Sequence, residues 1–183
     1  MELILASQSP RRKELLGLFG LPFVIRVADI DETMDKTASA YDEVARVSRE
    51  KAMAVERARG DIVVAADTIV VCENKVLGKP HSQEEAMQML RLLSGRDHQV
   101  MTGMTVLRDE KCLSCTQVTD IHFRELSDKE IRAYIATKEP MDKAGSYGIQ
   151  EWIGFVGVES ISGSYFNVMG LPIQRLYTEL KKI

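Results

Sequence analysis

No stretch of this 183-residue chain stays apolar for long enough to cross a bilayer. Its longest apolar runs, Ile62 to Ala66 and Ile69 to Cys72, are short and flank Asp67 and Thr68. Cationic excess is missing too. The chain has 24 Lys and Arg against 27 Asp and Glu, giving a net charge of −3 and a pI near 5.7. The basic face that grips a nucleic-acid backbone is therefore not expected. Cysteine is scarce: Cys72, Cys112 and Cys115 form an odd set in a chain large enough to fold without disulfides, which fits a reducing compartment. Cys112 and Cys115 have the spacing of a metal knuckle, but no second Cys/His pair follows, so strand or turn cysteines are expected. His81, His98 and His122 are scattered without ligand spacing and read as structural. No Ser/His/Asp or Cys/His nucleophile arrangement is legible. Disorder is also excluded, because 45% hydrophobic and 28% charged residues is ordinary globular composition.

What remains is enough apolar material for one core, so residues 1–183 read as a single domain with two lobes about a cleft. The opening Met-Glu-Leu-Ile-Leu-Ala reaches Arg11 and Arg12 before any long apolar region develops. It reads as a buried strand and not a signal peptide, and a cytoplasmic protein is expected. Residues 3–6 then form a strand, and Ser9 caps a helix that has Pro10 in its first turn and runs to about Gly20. Pro22 to Val27 reads as a second strand, and Asp29 to Lys36 as an acidic loop. Ser39 with Asp42 opens a helix that Gly60 stops, and Ile62 to Cys72 is a Val- and Ile-rich buried strand. Ser82 with Glu85, and Ser127 with Glu130, cap two further helices. Strands at His98 to Leu107 and Ser114 to Phe123 make a hairpin, Phe155 to Ser160 a last strand, and Pro172 starts the closing helix. The fold class expected is α/β, a mixed sheet flanked by helices.

Asp67 is the most informative residue. Val63 to Ala66 before it and Ile69 to Val71 after it predict burial, where an unpaired carboxylate is costly, so a cation should lie nearby. A metal ion or a lysine would satisfy it, and a structural ion pair is the alternative. Ser7 to Arg12 is a serine-rich turn that feeds a helix N-terminus with adjacent arginines, the outline of a phosphate site. It lacks the glycines and the Gly-Lys-Ser/Thr ending of a P-loop, and a plain capped helix is the alternative. Glu32 could bring a second carboxylate from its loop to Asp67. Lys51, Lys79 and Lys143 are ordinary surface lysines unless the fold brings them together.

Five segments, taken in order, resemble the Maf family of nucleoside triphosphate pyrophosphatases. They are Ala6 to Leu16, Ala66-Asp67-Thr68, Gly78-Lys79-Pro80, Leu93 to Arg96 and Asp142 to Gln150, and the likeness runs from residue 3 to Gly170-Leu171-Pro172. The resemblance implies a fold similar to that of inosine triphosphate pyrophosphatases, an elongated mixed sheet with helices around it and a cleft between two lobes. It also implies hydrolysis of a nucleoside triphosphate to the monophosphate and pyrophosphate. In that family the aspartate matching Asp67 is the proton acceptor, and the positions matching Arg11, Thr68 and Gln150 bear on substrate choice. Pro10-Arg11-Arg12, Asp67-Thr68 and Ile149-Gln150 together look like the branch that prefers dTTP and UTP, with CTP and modified pyrimidine nucleotides as further substrates.

The chemistry suits these residues. Gln150 presents one amide donor and one acceptor to the edge of a uracil or thymine ring. A magnesium or manganese ion on Glu32 and Asp67, with Ser7, Ser9, Arg12, Lys51 and Lys79 around the phosphates, would neutralise the charge at the α phosphorus. Asp67 as base and Asp67 as metal ligand stay equally open. A 7-methylguanine or damaged nucleotide is the alternative substrate, and a nucleotide-sensing regulator of cell division with incidental hydrolysis is the alternative class. The partner expected is a nucleoside triphosphate, with no membrane and no nucleic acid. A homodimer is the common outcome for soluble enzymes.

Overall fold

A computed structural model describes residues 1–183. Its elements in chain order are β1 (Leu3–Leu5), α1 (Pro10–Gly17), β2 (Val24–Ile25), α2 (Ala40–Ala54), β3 (Ile62–Cys72), β4 (Lys75–Leu77), α3 (Gln83–Leu93), β5 (Asp97–Arg108), β6 (Lys111–Phe123), α4 (Asp128–Ala136), α5 (Trp152–Gly157), β7 (Val158–Ser162), α6 (Tyr165–Met169) and α7 (Ile173–Leu180). Two short 3-10 turns, Glu139–Asp142 and Ala144–Ser146, follow α4. The strands form one seven-stranded mixed sheet in the order β2-β1-β3-β5-β6-β7, with β4 paired to β3. β1 runs parallel to both β2 and β3, whereas β4 is antiparallel to β3 and β7 to β6. This is the mixed α/β sheet flanked by helices that the sequence implies. No helix is long and apolar enough to cross a membrane.

The chain divides into two compact units. The first comprises Met1–Thr68, Thr102–Gln117 and Gly170–Ile183, and the second Ile69–Met101 and Val118–Met169. In the first, the cluster of Ile4, Ala6, Ala52, Val55, Val63, Ala65 and Leu107 is buried, because β1 and β3 pair in register and α2 covers them. Val44, Val47, Ser48 and Ala52 recur at helical spacing on the buried face of α2. At Gly103 the strand and helix backbones touch: a methyl there would stand 2.1 Å from Val44 O. In the second unit α3 packs on α4 and on both 3-10 turns. His98, Phe123 and Tyr147 form an edge-to-face cluster there, with centroids 4.8 to 5.5 Å apart.

Local chemistry sets three of the helix starts. Ser39, Ser82 and Ser127 each accept a hydrogen bond from the backbone N–H three residues on. Ser127 and Glu130 complete a reciprocal capping box. Other expectations need correction. Ser9 occupies the N-cap position of α1 but makes no capping bond; instead its N–H donates to Ser7 Oγ at 3.2 Å. α1 ends at Gly17, the second strand is only Val24–Ile25, and α2 ends at Ala54, well before Gly60. The β5–β6 turn is only Asp109-Glu110, so both strands extend past their expected ends. Phe155 to Ser160 is not one strand: α5 occupies Trp152–Gly157 and β7 begins at Val158. Local turn bonds start that helix, the N–H groups of Gly154 and Phe155 donating to Glu151 O, and Gly154 lies so close to the Ile149 carbonyl that a methyl would stand 2.0 Å away.

Candidate active site

Arg12 organises one part of the first unit. Its Nε donates to Gly170 O at 2.8 Å, one terminal nitrogen to Ser7 Oγ at 3.2 Å, and the other to Thr68 Oγ1 at 3.0 Å. Thr68 Oγ1 also lies 3.0 Å from Thr102 Oγ1 on β5, and the Thr102 side chain is fully buried. A guanidinium held at three points by the turn after β1, by β3 and by the segment before α7 has little freedom left. Gly170 adopts φ +112, a backbone conformation that disfavours any side chain, and this lets its carbonyl reach Arg12. Burial pulls the Arg12 pKa below the ordinary arginine value; Asp67 and Glu32 oppose the shift and neighbouring Arg11 adds to it. Arg11, Arg12, Asp67 and Glu32 therefore share one electrostatic neighbourhood.

Lys51 is the cation that Asp67 requires. Its Nζ lies 2.7 Å from Asp67 Oδ1 and 2.9 Å from Glu32 Oε2. Asp67 and Thr68 are the half-buried pair at the middle of β3, between the buried residues 63–66 and 69–70, which leaves the carboxylate reachable while apolar neighbours fix its backbone.

Glu32 sits in a loop with no ladder of its own, and α2 holds that loop down. Arg46 donates to Thr33 O at 2.9 Å and to both oxygens of Glu43 at 2.9 and 2.8 Å. Glu43, itself buried, accepts the Asp35 N–H at 2.7 Å. Asp31 and Asp35 close Asx turns onto the N–H groups of Thr33 and Thr37. The acidic loop is thus an ordered arm that carries Glu32 to Lys51.

The remaining expected site residues belong to the second unit. Lys79 is exposed, and the preceding Gly78 O accepts the Gly145 N–H at 3.0 Å, tying its strand exit to the Asp142–Gln150 segment. Gln150 is half-buried, and its Oε1 is buried with no hydrogen-bond partner. Lys143 is not a surface lysine: it is 7% exposed and bonds Glu139 O, Asp142 Oδ1 and Glu151 Oε1 at 2.6, 2.8 and 2.6 Å. Of the histidines, His98 is buried against the Tyr147 hydroxyl. His122 has two carboxylates near it, Asp97 at 2.7 Å and Glu159 at 3.4 Å, which the sequence did not suggest. Cys112 and Cys115 both lie on β6, where no set of three His, Cys, Asp or Glu converges.

Glu32 and Asp67 are the carboxylates here that could hold a divalent cation, as two carboxylates can for magnesium; Lys51 lies between them, and no group of three His, Cys, Asp or Glu converges on the site. Sequence reasoning missed Gly170, Thr102, Arg46 and Glu43. Thr102 carried a faint signal, a hydroxyl at a buried strand position, and the Glu43/Arg46 pair looks like any surface i,i+3 contact.

A family model described as "Maf-like protein" matches residues 2–183. A Bacteroides thetaiotaomicron protein named dTTP/UTP pyrophosphatase is 50% identical over 185 residues, spanning 100% of this chain and 96% of its own. A Bacillus cereus protein of the same name is 50% identical over 182 residues, spanning 99% and 95%. Among solved structures, the Staphylococcus aureus Ham1 protein aligns with a TM-score of 0.54 at 15% identity, over 100% of this chain and 99% of that one. A Coxiella burnetii HAM1 protein gives 0.52 at 18%, over 100% of both. At those identities the likeness is one of fold.

Proposed function

This chain belongs to the Maf-like protein family, and on that premise we propose that it hydrolyses dTTP and UTP to the monophosphate and pyrophosphate. The observation that carries the reading is Lys51 clasped between Asp67 and Glu32, in the same unit as the anchored Arg12. The name of the half-identical relatives supports the reaction and the pyrimidine preference.

The residues divide the labour as follows. The N-terminus of α1, with the Ser7 and Ser9 turn, offers backbone N–H groups and a partial positive charge to the polyphosphate. Arg11, Arg12, Lys51 and Lys79 supply fixed charge. Asp67 orients a water and takes its proton as the oxygen attacks the α phosphorus; the bond to the bridging oxygen breaks and pyrophosphate leaves. Glu32 and Asp67 would hold a magnesium or manganese ion, which when bound withdraws charge from the phosphate oxygens. Thr68 acts on substrate choice through Arg12, to which its hydroxyl is bonded. Gln150, with its unpartnered buried acceptor, reads the base edge. An acidic chain without a membrane-crossing helix supports work on free nucleotides in the cytoplasm, with residues 1–183 acting as one enzyme.

A substrate panel tests this. Pyrophosphate release is measured from dTTP, UTP, CTP, GTP and 7-methyl-GTP with magnesium or manganese. Turnover of dTTP and UTP with kcat/KM above roughly ten thousand per molar per second, releasing pyrophosphate and no orthophosphate, is expected. Fastest turnover of 7-methyl-GTP, or tight binding with negligible turnover, would overturn the assignment.

A further inference from the structure

Gln150 can match uracil or cytosine, depending on which way its carboxamide faces. Uracil and thymine offer an N3–H donor beside the O4 acceptor, while cytosine offers the N3 acceptor beside an N4 amine. Exchanging the amide oxygen and nitrogen of Gln150 therefore converts a uracil-matching edge into a cytosine-matching one. Whatever fixes that flip decides between the two bases.

The second unit contains a built device at this point. Gly148, Gln150, Glu151 and Lys143 crowd one spot: a methyl on Gly148 would stand 2.8 Å from Glu151 Cδ, 2.9 Å from Lys143 Cε and 3.0 Å from Gln150 Nε2. Glu151 is fixed at both oxygens. Lys143 Nζ lies 2.6 Å from Oε1, and the Tyr134 hydroxyl donates to Oε2. The same hydroxyl accepts the Gly148 N–H at 3.2 Å, so the loop backbone is pinned as well. Lys143 has three protons and three acceptors, Glu139 O, Asp142 Oδ1 and Glu151 Oε1, so none is left for Gln150 Oε1. A carboxylate beside Gln150 favours the NH2 end of its amide over the carbonyl end, and Oε1 is buried without a partner.

We infer that Glu151, held by Lys143 and Tyr134 over Gly148, is a specificity-positioning residue that sets the carboxamide flip of Gln150 and with it the choice between uracil or thymine and cytosine. The inference rests on the proposed reading of the base by Gln150. It adds residues outside the reacting centre that act only through that side chain.

The test compares kcat/KM for UTP and CTP, which differ only at the N3 and C4 edge. Glu151→Gln removes the charge but leaves Lys143 poorly paired, so Tyr134→Phe accompanies it, which frees one Glu151 oxygen and keeps the ion pair with Lys143. Each variant should shift the UTP:CTP ratio about fivefold or more. The shift should fall mainly in KM, and each variant should lose its effect in a Gln150→Ala background. An unchanged ratio in folded Glu151→Gln and Tyr134→Phe, beside a changed ratio in Gln150→Ala, overturns the inference and leaves the base reading intact. An unchanged ratio in Gln150→Ala overturns that reading and the inference with it.

Discussion

Lys51 Nζ lies 2.7 Å from Asp67 Oδ1, joining the flank of α2 to the half-buried break in β3. Both side chains are 14% exposed, so the pair is neither a screened surface contact nor a sealed core bridge. The ammonium offsets the charge of a carboxylate that is largely withdrawn from water yet still partly accessible.

Removing the ammonium tests that arrangement. Lys51→Met leaves Asp67 and Glu32 facing each other without their shared cation, and turnover of dTTP should fall about a hundredfold, in the range for loss of a preorganised charge. Circular dichroism should show a folded protein. Turnover within about twofold of the wild type would show that Lys51 is structural.

The arm carrying Glu32 predicts an effect on dynamics. Arg46→Met breaks the bond to Thr33 O and frees Glu43, which holds the Asp35 N–H. Amide hydrogen exchange across residues 31–37 should speed up, and turnover should fall about tenfold with little change in melting temperature. In a Glu32→Gln background the same substitution should add almost nothing to the loss.

Gly103→Ala places a methyl 2.1 Å from Val44 O and 2.6 Å from Ala45 N, both backbone atoms of α2. The helix must move away from β5, at a cost of about 2 kcal/mol or more, and Lys51 moves with it. Chemical denaturation should show the lost stability and the dTTP assay a parallel loss of turnover.

His98 predicts a pH dependence of stability. Burial against Phe123 and Tyr147 lowers its pKa to about 4 from an ordinary value of 6.5. The unfolded chain therefore binds a proton that the folded chain refuses. Stability is complete above pH 6.5 and declines as pH falls toward 4, by about 3 kcal/mol in total from this residue. Urea midpoints at pH 7 and pH 5 should differ less in His98→Gln than in the wild type.

The parts of this molecule that depend on neighbouring residues were readable from sequence. Ser82 with Glu85 and Ser127 with Glu130 start their helices as expected, because a cap needs only its own first turn. Asp67 was readable for a different reason: a carboxylate in a Val-rich strand requires a cation, and Lys51 is there. What failed depended on irregular turns and on distant contacts. Phe155 to Ser160 looks like one strand, but its first three residues close α5 and only Val158 onward pairs with β6. Lys143 looked solvated because the 3-10 turns and the start of α5 that bring Glu139 O, Asp142 and Glu151 round it have no periodic pattern to announce them. Thr102 and the Gly170 carbonyl enter the Arg12 cluster through tertiary contacts of more than thirty residues' separation.

The role proposed for Asp67 in nucleotide hydrolysis is measured most directly as pyrophosphate release from dTTP by the wild type beside Asp67→Asn, with folding checked by circular dichroism. Rapid release that falls about a hundredfold or more in the variant is the result predicted for a catalytic base or metal ligand. Near-normal release by a correctly folded Asp67→Asn would contradict it and reduce the Lys51–Asp67 pair to a structural bridge.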